Sequence, residues 1–81
     1  MMNKDILNSL IRHGFTLVGT SYRRDFENGT HAIAMQTGDH AIVFTYTKKP
    51  LCLLSGKYVF HVDEVDDFED FLRKDIDTID E

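Results

Sequence analysis

THAIAMQTGDHAIVFTYT, residues 30–47, reads as two β-strands joined by a turn at Gly38-Asp39, and the rest of the chain can be arranged around that hairpin. With Gly38-Asp39 at the tip, Thr37 faces His40, Met35 faces Ile42 and Ile33 faces Phe44. Ala34 then faces Val43, and Ala32 faces Thr45. Gly-Asp suits a tight two-residue turn because glycine reaches positive φ without a Cβ clash. Side chains alternate along a strand, so one face is large and apolar (Ile33, Met35, Ile42, Phe44) and the other is small or polar. That asymmetry fits a sheet covered by helices on one side, and it predicts that the large apolar face is the covered one.

Upstream, FTLVGTSY is rich in aromatic and β-branched residues and predicts a strand from Phe15 that runs as far as Phe26. Asn28-Gly29 follows as a second hairpin signal. Pairing Glu27 with Thr30 sets Tyr22 opposite Met35 and Arg24 opposite Ile33. An arginine suits that core position badly, so a bulge or slip near Arg23-Arg24 is the expected relief. Residues 3–13 carry Ile6, Leu7, Leu10 and Ile11 at helical spacing, with Asn3 as N-cap. Gly14 is placed to end this helix as the left-handed C′ residue, with Phe15 at C″ touching Leu10 in a Schellman arrangement.

Downstream, Lys48-Lys49-Pro50 ends the hairpin's second strand, because proline lacks the N–H that an interior strand needs. Leu51 to Leu54 is a short apolar segment, either a paired strand or a crossover. Ser55-Gly56 is expected to turn it into a strand from Lys57 to Val62. Asp63 is the expected N-cap of a closing helix over residues 64–75, whose apolar stripe is Val65, Phe68, Leu72 and Ile76, with Phe71 at its margin. Glu69–Arg73 and Asp70–Lys74 are i,i+4 pairs in the favoured orientation. Residues 76–81 are expected to fray. The fold class that follows is α+β: an antiparallel meander of four to five strands with an N-terminal and a C-terminal helix packed on one face.

Eighty-one residues make one small domain, 1–81, and an apolar fraction of 42% fits a globular core. The longest apolar run is LCLL, so no membrane-spanning segment is expected. MMNKDILNSLIRHG carries charges throughout and lacks the apolar centre of a secretion signal. Cys52 is the single cysteine, which allows no intramolecular disulfide and, set within LCLL, reads as a buried inert thiol. A cytoplasmic location is the resulting expectation.

Charge is divided along the chain. Residues 63–81 hold ten carboxylates against Arg73 and Lys74, a net of −8, whereas residues 1–62 hold four acidic and seven basic side chains, a net of +3. On the closing helix Asp66, Asp67 and Asp70 project away from the apolar stripe, with Asp63 and Glu69 at the rim. Such a face is either solvated surface or a recognition surface for a basic protein partner. A counterpart lies at the Asn28-Gly29 end of the sheet, where Arg23, Arg24, Lys48 and Lys49 could hold phosphate. Lysines at a sheet edge also guard against strand-to-strand aggregation.

No catalytic constellation emerges. Ser9, Ser21 and Ser55 lack an elbow such as G-x-S-x-G, and the five glycines are dispersed at turns and cradle no phosphate. His31 and His40 are nine residues apart across the hairpin, and His40 lies six residues along the strand from the partner of His31. At ~3.3 Å per residue they are roughly 20 Å apart and cannot share an ion. DEVDDFED lacks the glycine and ligand spacing of an EF-hand. The chain is therefore expected to be no enzyme and to hold no metal or cofactor. The leading expectation is a small acidic protein-binding module of inhibitor, antidote or adaptor type. It would engage a basic partner through Asp63, Asp66, Asp67, Glu69 and Asp70, with nucleic-acid mimicry of an anti-defence kind as one variant. Nucleic-acid binding through Arg23, Arg24, Lys48 and Lys49, or a structural homodimer, are the alternatives.

Overall fold

The computed structural model describes residues 2–47 and 53–81. Helix α1 (Lys4–Arg12) leads into strands β1 (Thr16–Val18), β2 (Ser21–Asp25), β3 (His31–Thr37), β4 (His40–Thr47) and β5 (Leu53–His61). Helix α2 (Val65–Phe71) closes the chain and continues into a π-helical turn, Leu72–Ile76. The strands form one antiparallel sheet in the order β1-β2-β3-β4-β5, a meander of neighbouring hairpins. Lys48, Lys49, Pro50, Leu51 and Cys52, and with them the expected strand stop and the buried thiol, lie outside the described residues.

α1 has the ends its sequence predicts. The Asn3 side chain accepts from the N–H groups of Asp5 and Ile6 at 2.9 and 3.3 Å. At the other end Phe15 N–H donates to Leu10 C=O at 3.0 Å and Gly14 N–H to Ile11 C=O at 3.1 Å. Those two bonds define a Schellman stop, and Gly14 takes the left-handed conformation it needs, φ 83°. Leu10 and Phe15 are both buried.

The β3–β4 register agrees with the sequence reading at every pair, from Thr37↔His40 to His31↔Tyr46. The β2–β3 register does not. Phe26 N–H donates to Thr30 C=O at 2.9 Å, so the connection holds three residues, with Gly29 at φ 90°. One extra loop residue slips the pairing by one position, which sets Tyr22 opposite Ala34 and Arg24 opposite Ala32. Arg23, in place of Arg24, then stands beside Ile33. The single strand expected from Phe15 to Phe26 is in fact two, folded back at Gly19-Thr20 so that Val18 pairs with Ser21.

Ser55-Gly56 is no turn. β5 is continuous through it, with Ser55 as the extra residue of a bulge between the pairs Tyr46↔Leu54 and Thr45↔Gly56. The Ser55 hydroxyl donates to Thr45 C=O at 3.1 Å and so satisfies the ladder it interrupts. A Cβ on residue 56 would come within 2.8 Å of both the Thr45 hydroxyl and the Tyr58 side chain, so any residue other than glycine would have to displace one of them.

The largest departure concerns which face is covered. Both helices pack on the small face, where Ala32, Ala34, Ala41 and Val43 are buried beneath Ile6, Leu10, Phe68, Leu72 and Ile76. Phe60 meets Phe68 edge-on at 5.3 Å and Phe71 at 5.1 Å, extending the core over β5. The physical reason is volume. A helix laid on a sheet fills a layer of fixed thickness, and large helix side chains need small strand residues opposite them to reach interior density. Ile33, Met35, Ile42 and Phe44 are therefore on the uncovered face, opposite to the expectation.

Residues 76–81, expected to fray, are held. Ile76 is fully buried. The Asp80 carboxylate accepts from the Glu27 and Asn28 N–H groups at 3.2 and 3.3 Å, and Asn28 Nδ2 donates to Ile79 C=O at 3.3 Å. These bonds fasten the end of the chain to the β2–β3 loop.

The two faces give opposite mutational responses. Ala34→Leu, which overpacks the layer under the helices, should destabilise by about 1–3 kcal/mol. Val59→Thr on the open face should stay within about 0.5 kcal/mol. Urea denaturation of dilute protein measures both, and a reversed ranking would contradict the assignment of faces.

Candidate functional site

α2 exposes its acidic residues because its apolar ones are used against the sheet. Phe68, Phe71 and Leu72 are buried, which turns Asp66 and Asp67 to solvent. Among the described residues neither has an ion-pair partner. Asp63 is highly exposed and lies 3.4 Å from His61 Nδ1. The helix's N-cap is Glu64 in place of the expected Asp63, and Glu64 Oε1 accepts from His61 N–H at 2.8 Å. Asp70 is half exposed and pairs with Arg73 at i,i+3 rather than with Lys74.

Glu69 departs from the expected rim. It turns inward, where Oε1 meets His13 Nε2 at 3.0 Å and Oε2 lies 3.3 Å from Arg12 Nη2, instead of pairing with Arg73. The Arg12 contact is an ion pair without hydrogen-bond alignment, which leaves Oε2 buried and unbonded. His13 Nδ1 meets Asp77 Oδ2 at 2.7 Å, and Asp77 Oδ1 in turn accepts from Arg24. Arg24 also donates to His13 C=O at 2.8 Å and covers the Phe26 ring, 4.7 Å from its centre. A charge chain of alternating basic and acidic side chains, Arg12–Glu69–His13–Asp77–Arg24, thus ties α1, α2 and β2 together. A carboxylate oxygen only accepts, so an imidazolium satisfies both bonds at once, whereas a neutral ring donates to one carboxylate alone.

The π turn makes this grip geometrically accessible. Asp77 N–H donates to Leu72 C=O at 2.8 Å, a bond across five residues. Glu69 and Asp77 are eight residues apart, which in an unbroken α-helix overshoots two turns by about 80°. One inserted residue absorbs most of that angle and returns both carboxylates to the face that meets His13.

The basic end expected from Arg23, Arg24, Lys48 and Lys49 is not assembled by the described residues. Successive strand residues point to opposite faces, so Arg24 enters the charge chain under the helices while Arg23 stands on the open face. Arg23 there bonds Asp25 at 2.8 Å. Lys48 and Lys49 lie outside the described residues.

The open face holds what the sequence reading assigned to the core. Ile33, Met35, Ile42 and Phe44 form its centre, with Val18 and Val59 flanking them, each more than half exposed. A shallow groove of about 490 Å³ runs between Val18, Ser21, Arg23, Ile33, Met35, Phe44 and Tyr46. Three of the four histidines belong to this face. His31 stacks on Tyr46 at 5.0 Å, and His40 meets His61 at 5.5 Å. Among the described residues no three metal-ligating side chains come together, and no helix is long and apolar enough to cross a membrane. The surface was legible in principle: α1 and α2 already supply the large residues of the core, so the strands' large set had to lie elsewhere.

Glu69 sets a pH dependence. Burial pushes its carboxyl up, but the hydrogen bond and charge of His13, with the Ser9 hydroxyl and the Arg12 guanidinium close by, together outweigh burial and hold it below its ordinary 4.5. A carboxyl with a lowered folded pKa contributes stability that is present above its unfolded value and is lost as pH falls through the folded one. Urea midpoints of the wild type should therefore drop below pH 4.5, and those of Glu69→Gln should be lower at neutral pH and flatter across the same window. Parallel profiles for the two proteins would contradict this role. Comparison with known proteins returns no matching family model, no matching curated protein and no matching solved structure.

Proposed function

We propose that this chain is a small non-catalytic protein-binding module that engages a basic partner through the acidic outer face of α2. The observation that carries the reading is the division of the carboxylates in this helix. Glu69 is drawn into the interior, while Asp66 and Asp67 are left exposed and unpaired among the described residues. Asp63 and Asp70 extend the same surface on either side. The rest of the helix is fixed by its core contacts, so these carboxylates are presented on a rigid element. Dense charge of one sign raises the rate of encounter with a partner of the opposite sign and supplies charge-assisted hydrogen bonds once the two meet. An inhibitor, antidote or adaptor acts through such a surface. In the mimicry variant the carboxylates occupy the places of nucleic-acid phosphates on the partner.

The test compares wild type with the triple variant Asp66→Lys, Asp67→Lys, Asp70→Lys, both shown folded by circular dichroism. A partner with a basic surface should be retained by the wild type at low salt, released as salt rises and lost by the variant. Mimicry further requires that nucleic acid displace the protein from that partner. Retention of the same partner by both proteins, unchanged in molar salt, would sink the proposal.

A further inference from the structure

The uncovered sheet face has no part in the acidic-helix reading, and its centre is apolar. We propose that two copies of this chain pack through it, sheet against sheet, in a four-layer helix–sheet–sheet–helix dimer. Its centre consists of the cross-strand neighbours Ile33 and Phe44 and the row Met35–Ile42–Val59. Exposed apolar patches of this extent on a soluble chain mark interaction sites.

Area, charge and shape each favour a second copy as the occupant. Strands of 3, 5, 7, 8 and 9 residues, spaced ~4.8 Å apart and rising ~3.3 Å per residue, present roughly 500 Å² of flat surface. With side-chain relief that approaches the ~800 Å² per partner of a stable specific interface. The formal charges on the outward positions of the described strands are Arg23, Asp25 and Lys57, and the first two bond each other at 2.8 Å. The face is therefore close to neutral, slightly positive, on a chain whose net charge is −5. Two chains of this net charge repel overall, and an approach through this face brings few like charges together and sets the acidic helices on the two outer surfaces. Lys57 already lies across Phe44, its Nζ 6.0 Å from the ring centre, so its ammonium reaches the rim. Two sheets of the same twist also pack aligned, at about −30°, with their inner side chains interdigitated.

The test is the mass of the 81-residue chain by sedimentation equilibrium from micromolar to millimolar concentration. Wild type should move from one chain to two. Val18→Lys combined with Val59→Lys, at positions more than half exposed in the single chain, should stay folded and weaken association by at least about 100-fold, since a two-fold interface buries each added charge twice. Asp66→Lys should leave the dimer intact. A second readout needs no variant: on dilution the Met35 methyl resonance should shift while that of Met2, on the helix side, should not. A wild type that stays monomeric at millimolar concentration overturns the proposal and turns the face over to another protein or a lipid surface. A dimer that survives the lysines, or forms without moving Met35, overturns it in favour of another contact such as the sheet edges.

Discussion

Everything in this structure depends on a volume constraint between one helix layer and one sheet. Ile6, Leu10, Phe68, Leu72 and Ile76 come from the helices and are fully buried, and the strands answer with Ala32, Ala34, Ala41 and Val43. Had the strands turned their large residues toward the helices, the layer would have been overfilled, with side chains forced from their rotamers. The alanines thus decide which face is interior. Because a strand alternates strictly, that decision also puts Ile33, Met35, Ile42 and Phe44 outside. Hydrophobicity alone does not rank the two faces, whereas fit does.

The charge chain is the second organising feature, and it follows from the first. Once α1 and α2 lie side by side on the sheet, the C-terminal end of α1 meets the flank of α2, and His13 is set between two carboxylates. A basic side chain suits the end of a helix, where the carbonyl groups concentrate negative potential. Arg24 closes the chain from β2, on the helix side of the sheet, because the three-residue loop at Glu27–Gly29 fixed the register that points it there. The same slip sets Arg23 and Asp25, two apart on one strand, together on the open face. A one-residue difference in a loop thereby decides which of two adjacent arginines joins the interior network and which meets the surface.

The local signals in the sequence were the readable ones. The Asn3 cap, the Gly14 stop and the Gly38-Asp39 hairpin are each specified within a few residues, and the structure has all three where the sequence puts them. What escaped was decided between distant segments. The covered face depends on side chains from residues 6–10 and 68–76 meeting those at 32–43, a comparison of volumes that periodicity does not contain. The inward turn of Glu69 depends on His13, 56 residues earlier. Ser55-Gly56 has the composition of a turn, yet its role as a bulge is set by the continuity of β4 opposite. Of the acidic positions singled out from sequence, Asp63, Asp66, Asp67 and Asp70 are outward, and the exception, Glu69, lies on the flank of α2 that meets His13.

The meander order has a consequence for synthesis. All five strands precede α2 in the chain, so the whole sheet is synthesised before the residues that cover most of its small face. At roughly 5–20 residues per second, about a second or more separates the synthesis of His61 from that of Ile76. Until α2 docks, α1 alone shields the alanine face, and the sheet presents apolar surface on both sides. The eventual attachment of the last turn to the β2–β3 loop then acts as a latch, completing the domain only when its final residues arrive.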